Sequence, residues 1–209
     1  MIYFVGMDLH SNNVCIVIID ENKAWVFKRK VKNELESIVK ILTPYREKII
    51  GIVVESTFNW YWLVDGLMAN GYKVHLAHPG AIGNYSRKKY TNDFTDAFNL
   101  ADLFRKGELP EGYIYPKEDR PLRDLLRKRV MLVRSRTQHI LSIENLLSRN
   151  LGSSLDAQDI QKLRKKDLGE MFGDKRDERL VLSVKANLSV IKTLNGEINA
   201  LEKVILKEV

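Results

Sequence analysis

The stretch MIYFVGMDLHSNNVCIVIIDENKAWVFKRKV, residues 1–31, decides the fold. Ile2 to Asp8 and Asn13 to Ile19 are apolar and β-branched, and the polar turn His10-Ser11-Asn12 separates them. Asp20-Glu21-Asn22-Lys23 then turns the chain into a third strand, about residues 24–31. Three strands joined by turns too short for a helix make an antiparallel meander. Beyond it the pattern changes. Asn33 with Glu36 has the form of a capping box and predicts a helix through Leu42. Ile49 to Val54 is a short apolar run of the kind that forms a central strand buried on both faces. A helix over about 59–69 stops at Asn70-Gly71, and Tyr72 to Ala77 is a fifth strand. Right-handed crossovers lay Ile49–Val54 beside the first strand and parallel to it. The expected fold is therefore α/β: a ribonuclease-H-like (RuvC-like) mixed five-stranded sheet with helices.

Downstream the pattern is helical. Residues 78–92 read as a loop carrying Arg87, Lys88 and Lys89, and a helix from Asp93 to Lys106 stops at Gly107. Pro121 fits the first turn of a long helix to Asn150, whose seam is Leu126, Val130, Val133, Thr137, Ile140 and Leu147. After a connector over 151–175, a heptad pattern of Val181, Val184, Leu188, Ile191, Asn195, Ile198 and Ile205 predicts a last helix over 176–209. The expected division is a domain over 1–115 and a coiled-coil-like helical arm over 116–209. The pattern runs to Val209 with no stop signal, so the sequence is expected to be a fragment of a longer protein.

Composition limits the function classes. With 44% hydrophobic and 29% charged residues the chain is neither disordered nor built to span a bilayer, since its longest apolar runs are far too short. Met1 leads straight into a strand without a basic leader, which argues for a cytoplasmic protein. Its one cysteine, Cys15, excludes a disulfide framework and a cysteine-rich zinc site. The net charge of +7 permits nucleic-acid binding without requiring it. The excess is concentrated: residues 111–150 hold 9 basic against 5 acidic side chains.

Asp8 ends the first strand and Glu55 follows the fourth. On parallel neighbours, both emerge at the carboxyl end of the sheet, where open α/β sheets place ligands. Asp93 and Asp96 share one face of a helix start. Carboxylates converging from these positions could not all remain ionised without cations, and hard oxygen donors suit Mg²⁺ or Mn²⁺. Two ions about 4 Å apart would activate a nucleophile and stabilise a leaving oxygen in phosphodiester chemistry. Plainer readings stand beside this one: Asp8 as a turn former, and Asp93 with Asp96 as an N-cap and capping box.

The segments Gly6-Met7-Asp8-Leu9-His10, Val54-Glu55-Ser56-Thr57 and Asn92-Asp93-Phe94-Thr95-Asp96-Ala97, followed by Leu100-Ala101, resemble the signatures of the DEDD transposases. This group is the insertion-sequence family numbered 110, with its relatives the pilin-gene-inverting recombinases. Leu122 to Arg129 and the Leu-rich continuation to Gly152 extend the resemblance over residues 1–152. It implies that Asp8, Glu55, Asp93 and Asp96 are four catalytic, metal-binding acids on a RuvC-like fold. The implied activity is DNA strand cleavage and rejoining in transposition or inversion, in a prokaryotic, nucleoid-associated setting. Structured RNA is a possible second partner by the same resemblance. It also implies a C-terminal domain with a catalytic serine, which has no counterpart in these residues.

Arg120, Arg123, Arg127 and Arg134 fall on one helical face, broadened by Lys128, Arg129 and Arg136. They and Arg87, Lys88 and Lys89 are candidate phosphate contacts, against the alternatives of a solvated helix face and a polar loop. Trp60, Tyr61 and Trp62 could stack on bases or line the core, and His10 and His78 could serve the site or a turn. The heptad seam could close within the chain or pair two copies into a homo-oligomer. Two rivals remain. One is a non-catalytic nucleic-acid-binding dimerisation module. The other is an actin-like or sugar-kinase-like ATPase, for which no second glycine-rich phosphate loop is present.

Overall fold

A computed structural model describes residues 1–81, 92–152, 155–164, 167–172 and 177–208. The expected contacts Arg87, Lys88 and Lys89 lie outside the described residues. The chain divides into two compact units, Met1–Ile114 and Tyr115–Val209.

The first unit holds β1 (Tyr3–Leu9), β2 (Asn13–Asp20), β3 (Trp25–Lys32), α1 (Leu35–Leu42), β4 (Ile49–Glu55), α2 (Tyr61–Ala69), β5 (Val74–Ala77), α3 (Asp93–Lys106) and β6 (Glu111–Gly112). The sheet runs in the order β3-β2-β1-β4-β5-β6. β1, β2 and β3 form the antiparallel meander, while β4 pairs parallel with β1, and β5 parallel with β4. This is the ribonuclease-H-like arrangement, with one strand more than the expected five. The addition is β6, antiparallel to β5. Two residues are too short to show the alternation by which strands are read from sequence.

Side-chain alternation sorts the sheet into two faces. Tyr3, Val5, Met7 and Leu9 of β1 join Val14, Ile16 and Ile18 of β2, Ile52 and Val54 of β4, and the apolar stripes of α1 and α2. Trp60 lies in this cluster, 2% exposed, with Tyr61 and Trp62 packed against it, so these aromatics build the core rather than a stacking platform. On the other face Phe4, Cys15, Val17 and Ile19 pack under Ala97 and Ala101 of α3.

The helix ends follow local chemistry, with one departure. Asn33 does not cap α1: its side chain donates to the carbonyl of His10 at 3.0 Å, and Glu34 takes the cap position. α3 stops where expected, because Gly107 adopts φ 71°, a left-handed conformation that costs glycine no Cβ clash. The far end of α3 is tied down by Asp102, which is buried among Lys23, Arg105 and Lys106 at 2.8–3.0 Å. Burial alone would raise its pKa, but hydrogen bonds from these three cations hold it at about 2.

The second unit is an antiparallel pair of long helices, α4 (Arg120–Leu151) and α7 (Glu178–Glu208), with the short α5 (Ala157–Lys162) and α6 (Asp167–Phe172) between them. Ile140, Ile143 and Leu147 meet Val181, Val184, Leu188 and Ile191, and Ile160, Leu168 and Phe172 close the cluster. The polar seam position Asn195 accepts a hydrogen bond from Arg136 at 2.9 Å. The first half of the α4 seam differs from expectation: Leu126 and Val130 are 43% and 44% exposed. No helix among the described residues is long and apolar enough to cross a membrane.

Candidate metal and nucleic-acid site

Three elements bring four carboxylates together. β1 carries Asp8 on the α3 face, in register with Phe4 and Gly6, and β4 carries Glu55 on the same face, in register with Gly51 and Val53. Because β1 and β4 are parallel neighbours, both acids stand at the same end of the sheet. α3 brings Asp93 and Asp96 onto that end from its first turn.

How α3 comes so close is decided at Gly6. A Cβ there would lie 1.9 Å from the carbonyl oxygen of Ala97 and 2.9 Å from the amide of Ala101. The helix backbone therefore rests on β1 itself, over the small Ala97 and Ala101. Its first residue is released for the site because Asn92 is the N-cap, accepting from the Thr95 amide at 2.9 Å. The capping role that Asp93 and Asp96 might have played belongs to Asn92, so neither carboxylate is spent on capping the helix.

Electrostatics mark the convergence. Asp8 is 5% exposed and hydrogen-bonds the Glu55 carboxyl. Burial first, and then the charges of Glu55 and Asp96, push its pKa from 3.8 to about 7, against the opposing pull of His10. His10 bridges two of the acids, with Nε2 3.4 Å from Oδ2 of Asp8 and 3.4 Å from Oδ2 of Asp93. Lys30, on β3, donates to Oδ2 of Asp93 at 2.7 Å, and this bond holds the Asp93 carboxyl below its usual range. Cys15 lies beneath, with Sγ 3.9 Å from the same oxygen.

His10, Cys15 and Asp93 can bring one ligand atom each within 4.8 Å of one another. Burial and the nearby Asp93 raise the Cys15 thiol to about 11, so it stays protonated and a poor metal ligand at neutral pH. The donors that remain are carboxylate oxygens with one imidazole, a set suited to Mg²⁺ or Mn²⁺. The buried Asp8, hydrogen-bonded to the half-buried Glu55, fits that reading, because a divalent cation would offset the cost of ionising Asp8 there.

Sequence reasoning missed Lys30 and Cys15. Their signal lies in pairing register: Asp8 stands opposite Cys15, and Cys15 opposite Lys30, a row across three strands. His78 is a turn residue, its Nδ1 accepting from the Ala81 amide at 3.2 Å.

The basic helix is only partly available for phosphates. Arg127 and Arg134 are exposed, and Arg123 lies 4.7 Å from the Tyr115 ring centroid and 3.6 Å from Asp124. Arg120 corrects the expected row: it is 7% exposed, and its Nε donates to the Tyr115 carbonyl at 2.8 Å, securing the start of α4. Arg129 is paired with Glu202 of α7, and Arg136 with Asn195.

A family profile described as a transposase, of the DEDD type named for the insertion sequence IS110, matches residues 5–150. No curated protein sequence matches the chain. Among solved structures, T. thermophilus RuvC in complex with a Holliday junction substrate is similar over 54% of this chain and 100% of that chain, at 12% identity and a TM-score of 0.41.

Proposed function

The chain belongs to the DEDD transposase family, and from that premise we propose that Asp8, Glu55, Asp93 and Asp96 hold divalent cations, Mg²⁺ or Mn²⁺, for the cleavage and rejoining of DNA strands. DEDD transposases are divalent-metal-dependent enzymes. The observation that carries the assignment of residues is the Asp8–Glu55 pair. A carboxyl pushed to about 7 by burial, and further by the adjoining Glu55 and Asp96, is a poor structural device, but a good half-site for a cation.

When bound, the cations would supply Lewis acidity and charge neutralisation at a phosphodiester. The chain's own residues divide the remaining work. Asp8 and Glu55, anchored at strand ends, fix the floor of the site. Asp93 and Asp96 close it from α3, and His10 orients Asp8 and Asp93 through its contact with both. Arg123, Arg127 and Arg134 of α4 position phosphates, contributing affinity without base readout. The same arginines would serve a structured RNA, which the family resemblance admits beside DNA. The exposed Leu126–Val130 stretch of α4 is where a second copy would pair.

Metal-dependent binding separates this reading from a non-catalytic nucleic-acid module. In filter binding with a labelled DNA duplex at constant ionic strength, Mg²⁺ should strengthen binding by the wild-type chain. Glu55→Gln should lose that enhancement. Equal binding by both proteins, with and without the ion, would favour the module instead.

A further inference from the structure

The margin of the sheet carries a feature that none of the assigned residues explains. β3 is the edge strand, and its sequence WVFKRKVK places four cations within five residues. Pairing register separates them by face. Lys28 stands opposite Val17, Lys30 opposite Cys15 and Lys32 opposite Asn13, whereas Arg29 stands opposite Ile16. Val17 and Cys15 belong to the cluster under α3, and Ile16 to the core on the other side. Lys28, Lys30 and Lys32 therefore share the face that bears the carboxylates, and Arg29 points away from it. All three lysines are exposed, at intervals of about 6.6–6.8 Å along the strand.

The row is fitted to its surroundings. Lys28 is held over the rings of Trp25, at 5.2 Å, and Phe94, at 5.8 Å. Lys30 reaches the pocket itself through its 2.7 Å bond to Asp93. Lys32 continues the line past the pocket. Of the acids facing the row, Asp93 is in contact with Lys30, and Asp8 acts on Lys30 through space. An exposed ammonium on a carboxylate is a weak pair, which a divalent ion outcompetes easily.

Resting on the metal-dependent reading above, we propose that Lys28, Lys30 and Lys32 form a phosphate track that lays one DNA strand along the sheet margin and into the carboxylate pocket. Lys30 acts as a placeholder cation on Asp93 and passes to a phosphate of the strand when a divalent ion takes that carboxylate. The track accounts for a feature the catalytic acids do not: the cations alternate by face, so that three of them line the side where the chemistry would occur.

The test uses the full chain and a labelled single-stranded DNA, with log K followed against log salt. Each phosphate contact contributes about 0.7 to the slope on a single strand, so Lys28→Gln/Lys30→Gln/Lys32→Gln should flatten it by about 2. Arg29→Gln, on the same strand but the opposite face, should leave the slope unchanged. In parallel, Lys30→Gln should bind Mn²⁺ roughly two- to fivefold more tightly in calorimetry, the worth of one exposed ion pair. A wild-type slope in the triple variant, or an equal change in Arg29→Gln, overturns the track while leaving the metal reading intact. A wild-type chain that binds no Mn²⁺ overturns both.

Discussion

Asp8 concentrates the physical tension of the molecule at one residue. Its carboxyl is buried, hydrogen-bonded to another acid and raised to about 7. The folded chain therefore holds this proton more tightly than the unfolded chain, whose reference value is 3.8. The sign follows directly: with more protons bound in the folded state, metal-free stability falls as pH rises from 3.8 to about 7, then levels off. Asp8→Asn removes that penalty. In chelator, urea unfolding should show Asp8→Asn gaining on the wild type as pH rises from 5 to 8, by roughly 2–4 kcal/mol at the upper end. A wild-type-to-variant gap that does not change with pH would contradict the assignment. Stabilisation on removing a charge, coupled with loss of metal binding, is the behaviour expected of a functional group rather than a structural one.

At the scale of elements, the approach of α3 to β1 determines whether the site exists. Gly6 permits it, and any Cβ at that position collides with helix backbone, which cannot swing away as a side-chain tip can. Gly6→Ala should destabilise the chain by about 1–3 kcal/mol, the usual cost of overpacking, and displace Asp93 and Asp96 from Asp8. Urea midpoints check the first effect and Mn²⁺ calorimetry the second; a variant of wild-type stability and affinity would show that α3 does not rest on β1. Much of this element-scale arrangement is legible in the sequence. The meander, the buried strand before Glu55 and the helix from Asp93 to Gly107 all follow from periodicity and stop signals. What is not legible depends on partners far away in the chain. Asn33 looks like a cap, but its amide is claimed by the His10 carbonyl, and Asn92 rather than Asp93 caps α3. Lys30 looks like any strand lysine until the β1-β2-β3 register sets it in a row with Cys15 and Asp8.

Across the whole molecule, each of the two units has its own apolar core: the sheet with α1, α2 and α3, and the α4–α7 pair with α5 and α6. The heptad spacing of α7 predicts its buried positions well, because a helix paired along its length repeats one environment. The start of α4 defeats the same reasoning. Its seam residues Leu126 and Val130 keep the spacing but stay exposed, since periodicity identifies a face and not what covers it. The arginines of this helix show the same limit: residue type and spacing suggest a phosphate row, yet Arg120, Arg129 and Arg136 are engaged in holding the unit together.

The central claim is that acids from two strand ends and one helix start act jointly on a divalent cation. Isothermal titration of Mn²⁺ into the wild-type chain, Asp8→Asn and Asp93→Asn tests it most directly. Saturable binding by the wild type, lost or weakened at least tenfold in both variants, is the predicted result. Mn²⁺ affinity left unaltered by either substitution would contradict it.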